Sequence, residues 1–392
     1  MKRSLTDYPL AGKRVLVRVD FNVPLEGGGV VDDTRIRAAL PTIAYLLDQG
    51  CSVVLAAHLG RPKGQIVDDL RMAPVAVRLA ELLGRPVKTA ADCVGPAVEK
   101  AAAALAPGDV LLLENLRFHA EETANDGVFA KRLAGLAEVY VNDAFGSAHR
   151  AHASTEGVAH YLPAVAGLLM EKELAMLSGI LTDPARPFTA ILGGNKVSDK
   201  LAVIENLMGK VDNLLTGGGM CFTLMNALGT SIGNSIFEAD QLDSVKNTLD
   251  MAAGSRTRMY VPEDIVIAER FEEGAPGKIV DAGDIPDGWM GLDIGPRTIE
   301  SYQAIILESN TVFWNGPMGV FEWRGFEAGT RGVAQAIADS KAVSIIGGGD
   351  SAAALKKFGL SDKMTFISTG GGASMEFLEG KELPGVAALN DA

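Results

Sequence analysis

Cysteine is scarce in this chain of 392 residues: Cys51, Cys93 and Cys221 stand far apart, with no CxxC pair among them. That excludes a disulfide-stapled secreted module and a structural zinc site of the usual spacing, and it suits a reducing compartment. A surplus of basic charge is missing too. With 36 Lys and Arg against 49 Asp and Glu the net charge is −13, which argues against a general nucleic-acid or anionic-membrane surface. No uninterrupted apolar run approaches the length that spans a bilayer, and the start MKRSLTDYPLAGKRV has basic residues without the apolar core of a signal peptide. A soluble cytoplasmic protein with neither a nucleic-acid nor a membrane partner is expected. Internal repeats are absent. So is GxxxxGK[ST], which excludes a P-loop enzyme.

Glycine, in contrast, is plentiful at 45 residues, and much of it is clustered. The length favours two domains. Charge divides unevenly between them: residues 1–163 carry 18 Lys/Arg against 19 Asp/Glu, residues 164–392 carry 18 against 30, and all five histidines lie in the first part. Short apolar runs alternate with Ala/Leu-rich helical segments. The strand candidates are 14–19, 52–57, 110–115 and 139–142, then 188–193, 213–217, 311–316, 343–348 and 365–370. Runs this short, separated by helices, predict an α/β fold of two Rossmann-like domains, each a parallel sheet with helices on both faces. Right-handed crossovers put the carboxyl ends of all strands in a sheet on one edge. Apolar positions at helical spacing between 161 and 187, stopped by Pro184 and Pro187, predict a hinge helix between the domains. The last 20 residues read as loop.

The first half delivers cations to its strand ends. Residues 52–64 end a strand and supply His58 and Arg61; 110–119 supply Arg117 and His119; 139–154 supply His149, Arg150 and His152; the first strand runs into Asp20 and Asn22, with Arg35 and Arg37 opening the next helix. Ligands of open α/β sheets bind outside the strands' carboxyl ends, and arginine is suited to bidentate capture of carboxylate and phosphate. Four loops with an arginine each predict a site for a small, multiply anionic ligand. His119, followed by two glutamates, and His160 read as solvated or satisfied residues, and His149 with His152 lack a third metal ligand.

In the second half the glycines follow the strands: GGNK (193–196), GGGM (217–220), NGPMG (315–319), GGGD (347–350) and GGGAS (370–374). Such loops allow close backbone approach, and the helix N-termini after them favour phosphate. Lys196 and Lys200 are expected i, i+4 at the start of one helix as a phosphate clamp. Asp350 and Glu322 suit Mg²⁺ and ribose hydroxyls respectively. Gly347-x-Gly349-x-x-Ala352 fits a dinucleotide fingerprint, but no acid ends the next strand. GTSIG (229–233) follows a helical stretch rather than a strand, so it is no nucleophile elbow. A polyanion site and a nucleotide site on one chain point to phosphoryl transfer. A nicotinamide dehydrogenase and a non-catalytic two-lobed anion-binding protein are the alternatives.

The stretches RVLVRVDFNVP, HLGRPKG, LLLENLRFH, NDAFGSAHRAHAS, LLTGGGM, WMGLDIGP, FWNGPMGVFE, GGGDSAA and STGGGAS, in this order across nearly the whole chain, resemble the motifs of phosphoglycerate kinases. The resemblance implies reversible transfer between 1,3-bisphosphoglycerate and ADP, giving 3-phosphoglycerate and ATP, with Mg²⁺ as cofactor and a monomeric enzyme. It implies a substrate site of Asp20, Phe21, Asn22, Arg35, His58, Leu59, Gly60, Arg61, Arg117, His149 and Arg150. It implies a nucleotide site of Lys200, Gly291, Asn315, Glu322, Gly348, Gly349, Asp350 and Ser351, with Asp350 on the metal. Arg35, Lys196, Gly371 and Gly372 are the implied catalytic groups. The implied domains are 1–164 and 183–377, joined by a connecting helix at 165–182, with a tail from about 378 to 392 returning to the first. Asn195 stands where the family usually has alanine before the lysine, and Ser351 replaces the commoner threonine.

Overall fold

The computed structural model describes residues 2–392, which form two compact units: residues up to Ala175 with Glu382–Ala392, and Met176–Lys381. In the first unit, besides a short antiparallel pair of Leu25–Glu26 with Gly29–Val30, the strands are β1 (Arg14–Arg18), β2 (Ser52–Ala56), β3 (Lys88–Thr89), β4 (Val110–Leu112), β5 (Val139–Asn142) and β6 (Ala164–Ala166). They form one parallel sheet in the order β3-β4-β2-β1-β5-β6. Val17 stands between Leu55 on β2 and Val141 on β5, all three fully buried, as expected of strands covered on both faces. Strand order reverses beside β1, so the crevice at the carboxyl ends of β1 and β5 is the topological place for a ligand.

The second unit holds β7 (Phe188–Leu192), β8 (Asn213–Thr216), β9 (Arg258–Tyr260), β10 (Asp264–Ala268), β11 (Lys278–Asp281), β12 (Met290–Ile294), β13 (Thr311–Asn315), β14 (Val343–Gly347) and β15 (Phe366–Ile367). Its main sheet is parallel, in the order β9-β8-β7-β13-β14-β15, with the reversal between β7 and β13.

Four expectations need correction. The stretch from 161 is not helical from its start: Ala164–Ala166 form β6, and the helix runs from Leu168 to Thr182. Three residues between Pro163 and Gly167 complete the sheet edge, since Tyr140 N donates to the Pro163 carbonyl and Gly167 N to that of Asn142. The second unit also carries a three-stranded antiparallel sheet, β11-β10-β12, unforeseen because its short strands lie outside the βα alternation. Lys196 and Lys200 do not share a helix; the helix begins at Leu201 with Lys200 as its cap. The C-terminal residues are not wholly loop, since helices occupy Gly371–Leu378 and Pro384–Ala387.

The helix Leu168–Thr182 is anchored in the first unit by Asp143, whose Oδ1 accepts from Leu169 N (2.9 Å) and Met170 N (3.4 Å). The final segment is sewn onto the same unit: Gly385 N donates to Ala148 O, Asn142 Nδ2 to Gly385 O (3.0 Å), and Lys2 Nζ to the carbonyls of Ala387 and Leu389. All three cysteines are buried and free. Among the described residues, no helix is long and apolar enough to cross a membrane.

Candidate functional site

In the first unit, four loops leave the carboxyl edge of the sheet, and those after β1, β2 and β4 interlock through side chains that hold neighbouring backbone. Asn22 Oδ1 accepts from Gly60 N (2.8 Å), and Asn115, fully buried, holds both backbone groups of Leu59 and the carbonyl of Leu70. Arg117 NH1 donates to Gly60 O (2.9 Å). Phe21 and Leu59, expected in the substrate site, are core residues that anchor these loops. Over this frame Arg61, Lys63, Arg117, Arg150 and His152 line a cavity of about 590 Å³. Arg35 reaches Asp20 with NH1 3.0 and 3.1 Å from the two carboxylate oxygens, and Asn22 O at 3.3 Å.

The cations sense one another. Burial and then Arg150 and Arg18 push the Arg117 guanidinium down to about 10. His152 is brought down to about 4 by burial, Arg117, Arg18 and Arg150. His58 lies well below the usual imidazole range, from burial and then Arg18, Arg117, Arg150 and Arg35. Neutral histidines among arginines leave the site positive, and a bound anion relieves that mutual repulsion. Arg150 Nε lies 3.1 Å from His149 Nε2.

In the second unit the glycine loops meet backbone to backbone. Gly193 N donates to Asn315 O, Gly194 N to Pro317 O, Gly217 N to Leu192 O, Gly218 N to Met318 O and Met220 N to Gly194 O, at 2.9–3.0 Å. Two cavities flank this knot. One, of about 560 Å³, is mainly apolar, with Phe222, Gly291, Leu292, Val320 and Glu322 in its wall. The other, of about 450 Å³, is polar and holds Lys196, Asp199, Lys200, Asn315, Gly348 to Ser351, Gly371 and Gly372. Gly194, Asn195 and Asp350 line both. An apolar pocket opening beside lysines, glycine backbones and helix N-termini has the form of a nucleoside site continued into a phosphate site.

Two observations test whether this set fits a nucleotide and Mg²⁺. Asn315 is 3% exposed and its Nδ2 has no protein partner, an orphaned donor of the kind a phosphate oxygen satisfies. Its Oδ1 accepts from Lys200 Nζ, whose charged form is disfavoured by burial before Asp199 and Asp350 restore part of it. Asp350 is exposed in the first turn of the helix Gly349–Phe358, facing the same polar cavity as Asp199. One or two carboxylates beside substrate phosphates is how Mg²⁺ is commonly held. Ser351, in contrast, is fully buried, and its Oγ accepts from Gly316 N (2.7 Å), so it supports the loop.

A family model described as phosphoglycerate kinase matches residues 5–381. The phosphoglycerate kinase of Moorella thermoacetica is 58% identical over 390 residues, covering 100% of this chain and 99% of its own. The chain belongs to the phosphoglycerate kinase family. Solved phosphoglycerate kinases from Coxiella burnetii (40% identical, TM-score 0.89) and Pyrococcus horikoshii (34%, 0.85) superpose over 99% of this chain and 98% of theirs. The fold and the enzyme class, phosphotransfer to a carboxyl acceptor, are those of phosphoglycerate kinases.

In this member of the phosphoglycerate kinase family, residues that no sequence motif singled out also stand at these cavities and loops. Arg18, within β1, is 0% exposed; its Nε donates to Ser154 Oγ (2.8 Å) and its NH2 lies 2.9 Å from His58 Nδ1. Because a guanidinium only donates, His58 Nδ1 accepts and the proton sits on Nε2. A cation inside an apolar strand was the available signal. Asp199, Phe271 and Trp323 were likewise missed; the two rings pack with centroids 4.6 Å apart, and both line the apolar cavity. His119 is satisfied by Asp92 (2.7 Å), and these two with Cys93 bring their donor atoms within 4.8 Å. The Asp92–His119 hydrogen bond accounts for that grouping.

Asp293, buried in the wall of the apolar cavity, accepts from Ile294 N (2.9 Å) and Gly329 N (2.8 Å). Burial nevertheless pushes its carboxyl up to about 8. A group whose folded pKa is raised contributes stability that is present below its unfolded value, near ~4, and lost as pH rises through the folded one. Asp293→Asn is therefore expected to lower stability at pH ~6 by about 1–3 kcal/mol, through one mismatched backbone donor. It is also expected to flatten the decline in melting temperature between pH ~5 and pH ~8. Parallel melting curves for parent and variant across that range would contradict the assignment.

Proposed function

We propose that the protein catalyses reversible, Mg²⁺-dependent phosphoryl transfer from 1,3-bisphosphoglycerate to ADP, giving 3-phosphoglycerate and ATP in glycolysis and its reverse. The observation that carries this reading is the pairing of an arginine-lined cavity in one unit with adjoining apolar and lysine-lined cavities in the other. In the forward direction the bond from phosphorus to the carboxyl oxygen breaks, a bond to the β-phosphate oxygen of ADP forms, and a carboxylate leaves; no proton need move. Asp20 and Asn22 hold the glycerate hydroxyl and carboxyl region, and His58, Arg61, Arg117, His149 and Arg150 hold the distal phosphate. Arg35 leaves Asp20 to reach the reacting carboxyl group. Lys196 follows the moving phosphoryl, while Lys200 and Asn315 hold nucleotide phosphates. The Gly371–Gly372 helix start meets developing negative charge. Gly291 and Glu322 lie by the adenosine, and Gly348, Gly349 and Asp350 by the phosphates, with Ser351 supporting them. Mg²⁺ on Asp350 neutralises phosphate charge when bound.

Reacting atoms must come within about 3–3.5 Å. Closure of the two units about the helix Leu168–Thr182 would bring the ligands together and exclude the water that otherwise hydrolyses an acyl phosphate. A cytoplasmic monomer acting on these small molecules is the form proposed.

The test is ATP- and Mg²⁺-dependent turnover of 3-phosphoglycerate, coupled to reduction of the product. Turnover that vanishes with a chelator and returns with Mg²⁺ is expected; binding of both ligands without turnover would leave a silent relative. Asn195 is uncharged and lines both cavities, and every charged position remains. Asn195→Ala is therefore expected to keep kcat within about tenfold of the parent, and a change of about a hundredfold would sink that view.

A further inference from the structure

Five arginines crowd the anion site, and the acid buried deepest among them is Glu122, fully inaccessible on the short helix Ala120–Thr123. Ala120 and Thr123 of that turn line the cavity, while Glu122 points inward. Its Oε2 accepts from Ser154 N (3.0 Å) and its Oε1 from Ser154 Oγ (2.6 Å). The Ser154 hydroxyl, with its proton committed to Glu122, presents its lone pairs to Arg18 Nε at 2.8 Å. Arg18 in turn presents NH2 to His58 Nδ1 at 2.9 Å. The direction of each bond is fixed by the one before it: a carboxylate only accepts, so the hydroxyl donates to it and must accept from arginine.

We propose that Glu122 is a positioning residue of the anion site, orienting Arg18 through Ser154 and thereby fixing His58 with its proton on Nε2. The inference deepens the phosphoglycerate reading and rests on it for the identity of the ligand. Burial raises the Glu122 carboxyl, and Arg18 and the Ser154 bonds pull it back. Its charge and hydrogen bonds belong to the same network as the arginines. A neutral isostere removes one of the two acceptors that Ser154 uses. In Glu122→Gln the amide NH₂ either opposes Ser154 N–H, or faces the hydroxyl, which then can no longer both donate inward and accept from Arg18.

Two variants test this, Glu122→Gln and Ser154→Ala, the second removing the bridge while leaving the carboxylate and changing little volume. Steady-state kinetics on 3-phosphoglycerate and ATP would be read beside the side-chain nitrogen chemical shifts of His58 in isotopically labelled protein. Both variants are expected to raise KM for 3-phosphoglycerate about tenfold or more while KM for ATP holds. Both are expected to replace the single His58 tautomer by a mixture. Equal rises in both KM values, or an unchanged phosphoglycerate KM with a single tautomer, would overturn the proposal. A parent protein that neither binds nor turns over 3-phosphoglycerate would refute the functional reading instead, and the tautomer measurement would still decide the role of Glu122.

Discussion

Arg35→Ala is expected to lower kcat by about 10³-fold, in line with losing a donor that stabilises charge developing in a transition state. KM for 3-phosphoglycerate should change much less. The reason lies in where the guanidinium stands. Arg35 opens the helix Thr34–Asp48, its side chain is 36% exposed, and the partners holding it are Asp20 and the Asn22 carbonyl, both in the same site. On the proposed reading Arg61, Arg117, His149 and Arg150 remain to hold the distal phosphate, so affinity is expected to survive. The charge beside the reacting carboxyl group does not. Arg35→Lys should fall between parent and alanine, since an ammonium keeps the charge but loses the planar fork. Exposure of the side chain makes loss of the fold an unneeded explanation. A variant that binds 3-phosphoglycerate calorimetrically while turning over slowly would locate the effect in chemistry. An alanine variant within about tenfold of parental kcat would remove Arg35 from the reaction.

Gly316→Ala should damage both stability and nucleotide binding. Gly316 has φ +93°, a region side chains rarely enter, and an added Cβ would run into the Gly193 carbonyl. That carbonyl cannot withdraw, because Gly193 N and Gly194 N are hydrogen-bonded to Asn315 O and Pro317 O on either side of the glycine. Gly316 N is itself tied to Ser351 Oγ, at 2.7 Å. Relieving the clash would part the loop after β7, which carries Lys196, from the end of β13, where Asn315 stands. We expect a loss of about 3 kcal/mol or more in stability, from strain and broken backbone pairs together. ATP affinity should fall with it, while 3-phosphoglycerate binding persists. An unchanged denaturation midpoint with intact ATP binding would show that the loops yield more easily than this geometry allows.

Much of this was legible before any coordinate. Nine short apolar runs became strands because a parallel strand buried on both faces must be apolar nearly throughout, a local property of composition. The loops after them carry Arg61, Arg117, Arg150, Lys196 and Asp350, and parallel topology alone sends such loops to one edge of each sheet. What composition could not reveal was pairing at a distance. The strand Ala164–Ala166 exists because β5 offers it an open edge, and β10, β11 and β12 form a sheet because they pair with one another.

Chemistry was divided in the same way. The sequence determined which charges are available and at which strand ends they emerge. Tertiary structure decided their condition: Arg18 sealed against His58, Glu122 turned inward to Ser154, the Asp293 carboxyl pushed up by burial, Asn315 left with an unpaired donor. Those states depend on solvent exclusion and on neighbours that lie far off along the chain. Only the assembled fold supplies either.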